Sequence, residues 1–251
     1  MSLWCFIAPR RSVRCLAAGL IAAALSPAGP MKPAEALGRY LAMGAERQSE
    51  CSGSVYAVTI DASMPALKKH GSMTGLKWVI RPGQGVYRGL HFSGDNFIKT
   101  QVIARFLAHD SNPPSQADDN GVTPLNYSLR FERTSEYNGL AAYVYVLKPH
   151  RKRAGLLRGE LWLDAETATP LRLWGDLVKS PSILIRSLRF VEDYQPPERC
   201  TAPLRLLLTA RTRIAGTVEM TVWLHPASCG IEAAGGDGCT FNIRSGGQTG
   251  Q

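Results

Sequence analysis

The residue types that could do chemistry in this chain are histidine, aspartate and cysteine, and their spacing argues against most reactions. His91 and Asp95 lie four residues apart in "GLHFSGD", which is typical of a turn. The five histidines form no H-E-x-x-H or H-x-H pair, and the chain has no G-x-S-x-G, Walker A or G-x-G-x-x-G motif. Asp118-Asp119-Asn120 lacks the spacing of an EF-hand loop. The sequence therefore predicts no enzyme, no cofactor and no metal site.

The first 36 residues have the pattern of an export signal. Three arginines between positions 10 and 14 precede an apolar run at 15–25, which is shorter than the roughly 20 residues that a membrane span needs. Residues 34–36 supply an A-x-A cleavage site, and residues 26–28 supply an earlier alternative. We predict a cleaved signal peptide over residues 1–36 and a periplasmic protein. An uncleaved N-terminal anchor is the alternative interpretation.

Export changes the interpretation of the cysteines. Cys51, Cys200, Cys229 and Cys239 follow the signal, and an even number of cysteines in an oxidising compartment favours disulfides. Four cysteines allow three pairings. The pairing 229–239 with 51–200 is favoured, because the first pair brackets a short glycine-rich loop. No C-x-x-C motif occurs, which argues against zinc.

The excess of positive charge indicates anionic partners. The chain has a net charge of +9, and residues 1–36 contain four Lys or Arg and one Glu, so residues 37–251 have a net charge of +6. On an exported protein this charge favours an anionic membrane surface. Export and the lack of a zinc-finger or RNP-like motif argue against nucleic acid as a partner.

The hydrophobic pattern predicts two helices and about nine strands. Apolar residues at helical spacing after Pro33 predict the first helix, and "DNFIKTQVIARFLAHD" predicts the second, with Asp95 as its cap. The remaining strand-like segments are joined by short turns, which predicts an antiparallel sheet. We expect one domain over residues 37–228, followed by a flexible glycine-rich tail, 229–251.

A hairpin with arms at 157–164 and 170–175 carries the strongest local pattern. Its leucines alternate with tryptophans, so facing leucines require a register such as Leu161 opposite Leu173. One interpretation is a sheet packed on a core with a solvated back. The other is an apolar face that lines a groove, with Trp and Arg at its rim. The preceding "KPHRKR" is either a solvated tip or a contact for anionic headgroups.

The hairpin motif W-x-D-x-x-T-x-x-P, formed by Trp162, Asp164, Thr167 and Pro170, resembles the LolA/RseB superfamily of outer-membrane lipoprotein-sorting-like proteins. The resemblance covers roughly residues 37–225. It implies a mainly β (α+β) fold, an incomplete antiparallel β-barrel with helices covering its concave face.

The resemblance also implies a function. We expect a periplasmic carrier or chaperone that binds lipoprotein acyl chains or other lipids in a hydrophobic concavity. The alternative is an envelope regulatory or interaction module similar to the RseB-like sensor branch, whose partner is an envelope membrane protein. Neither role involves catalysis.

The predicted site residues form two groups. The ligand-binding candidates are Tyr127, Leu129, Phe131, Leu161, Leu163, Leu171, Leu173, Phe106 and Leu107. The candidates for a headgroup-binding rim are Arg151, Lys152, Arg153, Trp162 and Trp174.

Overall fold

The computed structural model describes residues 30–44, 53–81, 84–111, 120–194 and 203–227. The four cysteines that follow the predicted signal all lie outside these ranges, so their pairing stays a prediction. The same holds for the glycine-rich tail and for most of the predicted signal peptide. Among the described residues, no helix has the length and apolar composition that a bilayer crossing requires.

The described residues form one antiparallel sheet of ten strands in the order β3-β2-β1-β10-β9-β8-β7-β6-β5-β4. The strands are β1 (Val55–Met64), β2 (Lys69–Arg81), β3 (Gln84–Gly94), β4 (Tyr127–Tyr137), β5 (Leu140–Pro149), β6 (Leu157–Asp164), β7 (Pro170–Leu177), β8 (Ile185–Tyr194), β9 (Pro203–Thr212) and β10 (Thr217–Pro226). β3 and β4 are the two edges, so the sheet does not close into a barrel. The predicted fold class, mainly β with an antiparallel sheet and helices on one face, is confirmed.

The sequence predicted about nine strands and the structure has ten, because the segment that forms β9 was not recognised as a strand. Its sequence contains three consecutive leucines, Leu206, Leu207 and Leu208, which hide the alternation that marks a half-buried strand. Register places Leu206 and Leu208 on one face of the sheet and Leu207 on the other. Leu207 shares its face with Arg205 and Thr209, so it is an apolar residue on an otherwise polar side of β9.

The first helix, α1 (Pro33–Ala42), agrees with the prediction and has Pro33 at its first position, where proline's missing N–H costs no hydrogen bond. Ala36 is fully buried. A cut after Ala36 would remove the first four residues of α1. The earlier predicted site, at residues 26–28, leaves the helix intact.

The second helix, α2, combines a π-helical segment, Ile98–Ile103, with an α-helical segment, Ala104–Ser111. Asp95 caps it as predicted, since its Oδ1 accepts the backbone N–H groups of Phe97 at 2.8 Å and Ile98 at 3.2 Å. Asp95 also pairs with Lys69 at 3.1 Å, so this carboxylate near His91 has a structural role.

Both helices pack on the same face of the sheet, which we call the helix-bearing face. Two separate groups of buried side chains lie there. The α1 cluster contains Ala36, Tyr127, Tyr143, Tyr145, Leu147, Leu156, Leu157, Leu161, Leu163, Ala165, Ala168 and Leu173. The α2 cluster contains Val58, Ile60, Ala62, Met64, Met73, Ile98, Ile103, Leu107, Met220 and Val222.

Candidate functional site

The leucine face of the predicted hairpin lies under α1. Leu161 pairs with Leu173, as predicted, and the exposed fractions of Leu161, Leu163 and Leu173 are 1%, 0% and 8%. Leu171 is buried as well, at the irregularity where Leu163 pairs with Pro170. The predicted ligand-binding leucines are thus covered side chains that a ligand can reach only if their cover moves.

The cover over these leucines is α1 and the residues just before it. The hydroxyl of Tyr143 donates to the carbonyl of Met31 at 2.5 Å, and that of Tyr145 donates to the carbonyl of Pro33 at 2.6 Å. Burial, with a smaller contribution from Tyr143, raises the pKa of Tyr145 to about 12. Leu37 and Tyr40 pack against the cluster from the helix. The backbone N–H of Met31 also donates to the carbonyl of Ala165 at 3.1 Å, so both polar and apolar contacts hold α1 and the residues before it in place.

The other predicted ligand-binding residues divide between the two clusters. Tyr127 belongs to the α1 cluster, and Leu129 packs against it half-buried. Phe131 is 39% exposed and meets Tyr145 edge to face, with ring centroids 5.9 Å apart. The two predicted residues of α2 lie on the same face but towards the β3 edge of the sheet. Leu107 belongs to the α2 cluster, and Phe106 packs against that cluster.

The two clusters meet in the middle of the sheet. A row of directly paired residues runs across it from Ile60 through Val222, Leu206, Glu192, Leu173 and Leu161 to Tyr145. Paired residues of antiparallel strands project from the same face, so this row joins the α2 cluster to the α1 cluster. We call the side chains of β8 and β9 on this face the seam: Leu188, Phe190, Glu192, Tyr194, Leu206 and Leu208.

The seam is half-buried along its length. Phe190 packs against the α1 cluster and Leu208 against the α2 cluster, although the two residues pair directly with each other. Sequence reasoning did not select any seam residue as a site residue. The regular spacing of Leu188, Phe190 and Tyr194, which places them on one face of β8, was the signal from which the seam could have been predicted.

Glu192 is the acidic residue of the seam, and its strand neighbours are Leu173 and Leu206. Its Oε2 accepts the hydroxyl of Tyr194 at 2.6 Å. Burial raises the pKa of Glu192, although the hydrogen bond from Tyr194 partly offsets it. The pKa of Tyr194 is also raised, by burial first and then by Glu192 and by Tyr40 of α1.

Because its folded-state pKa is raised, Glu192 should make folding less favourable as the pH rises from its unfolded-state pKa through its folded-state pKa. We expect Glu192→Gln to raise the free energy of unfolding at pH 8 by more than the ~0.5 kcal/mol typical of surface changes. The difference should shrink towards pH 4, where Glu192 is protonated. Urea unfolding at both pH values measures it, with the exposed Glu136→Gln as the matched control. A stabilisation that is the same at both pH values would contradict the assignment.

The predicted rim tryptophans lie on the other face of the sheet. The indole N–H groups of Trp162 and Trp174 both donate to Oε2 of Glu160, at 2.9 and 3.1 Å. Arg133 donates to both carboxylate oxygens of Glu160 at 3.1 Å. Burial raises the pKa of Glu160, but the hydrogen bonds from Arg133 and the two tryptophans outweigh it and hold the pKa below its usual range. These tryptophans are therefore satisfied within the sheet and do not border the seam.

The same face carries a second polar network around Asp193, which is 7% exposed. The hydroxyl of Tyr137 donates to Oδ1 at 2.7 Å, and Arg205 donates to Oδ2 from Nε at 2.9 Å and from Nη2 at 2.5 Å. The Nε of Arg172 lies 3.4 Å from Oδ1. These contacts link β4, β7 and β9 to β8, and they give this face a structural role.

The predicted basic rim lies at one end of the sheet. A cavity of about 280 Å³ is lined by Leu125, Asn126, His150, Arg151, Arg153 and Leu156. Arg153 Nη2 lies 3.4 Å from Oδ1 of Asn126, while Arg151 and Lys152 are exposed. Within the described part of the chain, no group of three or more His, Cys, Asp or Glu side chains is placed to hold a metal ion.

The fold of this chain is similar to that of several solved structures. A domain of an outer membrane lipoprotein-sorting protein from Vibrio parahaemolyticus has a TM-score of 0.40 and 11% identity, over 75% of this chain and 91% of that chain. A LolA superfamily protein from Nitrosomonas europaea has a TM-score of 0.36 and 12% identity, over 77% and 94%. The MucA/MucB complex from Pseudomonas aeruginosa has a TM-score of 0.26 and 12% identity, over 76% and 94%.

These comparisons name the family that the hairpin motif resembles. No family model matches the chain, and no curated protein matches it. Because the TM-scores lie below 0.5, the ligands and partners of these structures are not transferred to this chain.

Proposed function

We propose that this protein is a periplasmic carrier or chaperone that binds a lipid acyl chain on its helix-bearing face. The observation that supports this most directly is the seam, where the α1 and α2 clusters meet and where Phe190 and Leu208 are only half-buried. A hydrocarbon chain lying along the seam would complete the burial of side chains that the protein alone covers in part. Each methylene that it buries contributes about 0.8 kcal/mol.

In this proposal the signal is cut at the earlier predicted site, residues 26–28, so that α1 is kept whole and acts as a movable cover. Two of the hydrogen bonds that hold α1 and the residues before it come from the hydroxyls of Tyr143 and Tyr145 in the sheet. If α1 lifts, the leucines Leu161, Leu163 and Leu173 join the seam in one surface that is apolar except for Glu192. The predicted ligand-binding leucines under α1 would then contact the lipid in the loaded state, and the lipid would enter at the seam.

The proposal is tested by uptake of a fluorescent fatty acid and by mass spectrometry of lipid co-purified from the native envelope. Phe190→Glu and Leu208→Glu place a charge in the seam and should lower uptake at least tenfold, since each removes apolar contact and adds a group that is costly to bury. Val191→Glu and Leu207→Glu make the same change one residue away, on the opposite face. These two controls should keep most of the uptake.

Each variant's unfolding midpoint is measured, so that loss of fold is distinguished from loss of binding. Empty wild-type protein with no fatty-acid uptake would overturn the carrier proposal. A protein segment recovered in place of lipid would also overturn it and would favour the interaction-module alternative.

A further inference from the structure

The two ends of the sheet differ in chemistry. The strand order brings five connections together at one end, and we call them the basic end: residues 65–68, 120–126, 150–156, 178–184 and 213–216. Backbone hydrogen bonds join neighbouring connections, from His150 to Asn126, from Val178 to Leu156, and from Arg213 to Leu184, each at 2.9 Å. A Cβ added at Gly216 would lie 3.1 Å from the Cβ of Ala66. The five connections therefore form one continuous surface.

The basic end exposes large apolar side chains. Leu125, Ile183 and Ile214 are 90%, 84% and 81% exposed, which makes them the three most exposed large apolar residues of the described chain. Leu184 and Leu67 are also exposed, at 54% and 47%. These side chains project from separate connections and contribute little to the folded core. Single exposed apolar side chains are common on protein surfaces, but here the three most exposed ones of the described residues share one continuous surface.

The charge of the basic end is mostly positive. The described residues of its five connections contain six cationic residues and no Asp or Glu. The link from β3 to α2 lies at the same end and carries Asp95, which pairs with Lys69 at 3.1 Å. The cations are Lys68, Arg151, Lys152, Arg153, Lys179 and Arg213. The described turns at the opposite end, 138–139 and 165–169, contain Glu166 and no Lys or Arg. Positive charge is thus concentrated where the apolar tips are.

We propose that the basic end docks on an anionic lipid bilayer. In this arrangement Leu125, Ile183 and Ile214 insert between the lipids, and the surrounding lysines and arginines lie against headgroup phosphates. Cationic residues attract an anionic bilayer surface, and apolar side chains beside them add buried area, which is how interfacial proteins bind. The cavity formed by Arg151, Arg153 and His150 beside Leu125 has the volume and charge to receive one phosphate headgroup.

A bilayer fits these features better than an acidic protein does. A protein interface needs a packed, shape-complementary core, whereas the apolar tips here stand apart on different connections. A fluid lipid surface admits single side chains at several points. The seam strands β8 and β9 adjoin connections 178–184 and 213–216, so docking would place one end of the seam at the bilayer surface. Docking does not depend on the proposed cargo.

The test is flotation of the purified protein with vesicles of phosphatidylcholine, with or without phosphatidylglycerol. Arg151→Gln, Lys152→Gln and Lys179→Gln combined should lower binding to the anionic vesicles about 100-fold, at roughly fivefold per charge. Leu125→Ser, Ile183→Ser and Ile214→Ser combined should lower it at least tenfold.

Two matched triples serve as controls. Ile80→Ser, Val86→Ser and Leu140→Ser change exposed apolar residues outside the basic end. Arg88→Gln, Arg105→Gln and Arg189→Gln change exposed arginines outside it. Both controls should bind anionic vesicles like the wild type. Fatty-acid uptake in the absence of vesicles should be unchanged in all four triples, which separates docking from cargo binding.

Insertion is measured independently with brominated phospholipids. Leu125→Trp should be quenched more strongly than Leu140→Trp, which lies by the turn at the opposite end. The proposal would be overturned by equal quenching of the two tryptophan variants or by an equal loss of binding in the control triples. It would also be overturned if the wild-type protein bound vesicles equally well with and without phosphatidylglycerol. If the protein bound no vesicles but did bind an acidic protein, the proposal would be overturned in favour of a protein partner.

Discussion

Asp193→Ala is expected to lower the free energy of unfolding by about 2–3 kcal/mol, because it removes several charge-assisted hydrogen bonds from a buried carboxylate whose arginine partners are about one third exposed. The carboxylate holds Arg205 in two hydrogen bonds, accepts the hydroxyl of Tyr137 and lies beside Arg172. Its loss leaves two guanidinium groups close together and one hydroxyl without its acceptor. Since these groups come from β4, β7 and β9, the effect should extend across the middle of the sheet.

Urea unfolding at neutral pH measures this loss, and Asp176→Ala is the matched control. Asp176 pairs with Arg189 through two hydrogen bonds of 2.9 and 2.8 Å. Both side chains of this pair are well exposed, at 46% for Asp176 and 56% for Arg189. Removal of the Asp176 carboxylate should therefore cost less than about 1 kcal/mol. Equal costs for the two variants would mean that the Asp193 network adds nothing beyond a surface ion pair.

Local sequence patterns predicted the elements that depend on near neighbours. The alternation of leucine with tryptophan was sufficient for the register of β6 and β7, because a slip by one residue would move Leu161 and Leu173 to the wrong face. The helix cap at Asp95 and the start of α1 at Pro33 were found from residue type and position. In each case the determining contacts lie within one turn or one hairpin.

Features set by distant contacts were not predictable in this way. The pairing of β1 with β10 joins the first and the last strand along the chain, inside the sheet, and no local pattern specifies it. The consequence is that β8 and β9 lie at the centre, between the two clusters, so that the seam became visible only in the structure. The tryptophans show the same limit, since the contact of Trp162 and Trp174 with Glu160 depends on strand register as well as on parity.

The basic end also follows from topology more than from any one motif. The run at 150–153 was recognisable from sequence as cationic, but Lys179 and Arg213 are isolated in the chain. An antiparallel order places every second connection at the same end of a sheet. Cations and exposed apolar residues that are far apart in sequence thereby share one surface, which lies at the end of the seam.

Leu163→Asp is expected to abolish the cooperative unfolding transition or to lower the free energy of unfolding by more than Leu163→Ala does. Leu163 is 0% exposed, pairs with Tyr143 and lies in the α1 cluster. Truncation to alanine should cost about 2–5 kcal/mol through lost burial and the cavity left behind. A carboxylate at this position adds the cost of removing a charge from water.

Ile183→Ala and Ile183→Asp are the matched controls, because Ile183 is 84% exposed and each change should alter stability by less than about 0.5 kcal/mol. Unfolding is followed by circular dichroism in urea, without lipid. If α1 is a cover that lifts only for a ligand, the leucines beneath it are part of the core of the empty protein, and this contrast must appear. A Leu163→Asp protein as stable as the wild type would show that this face is outer surface, and α1 would then have no apolar site to cover.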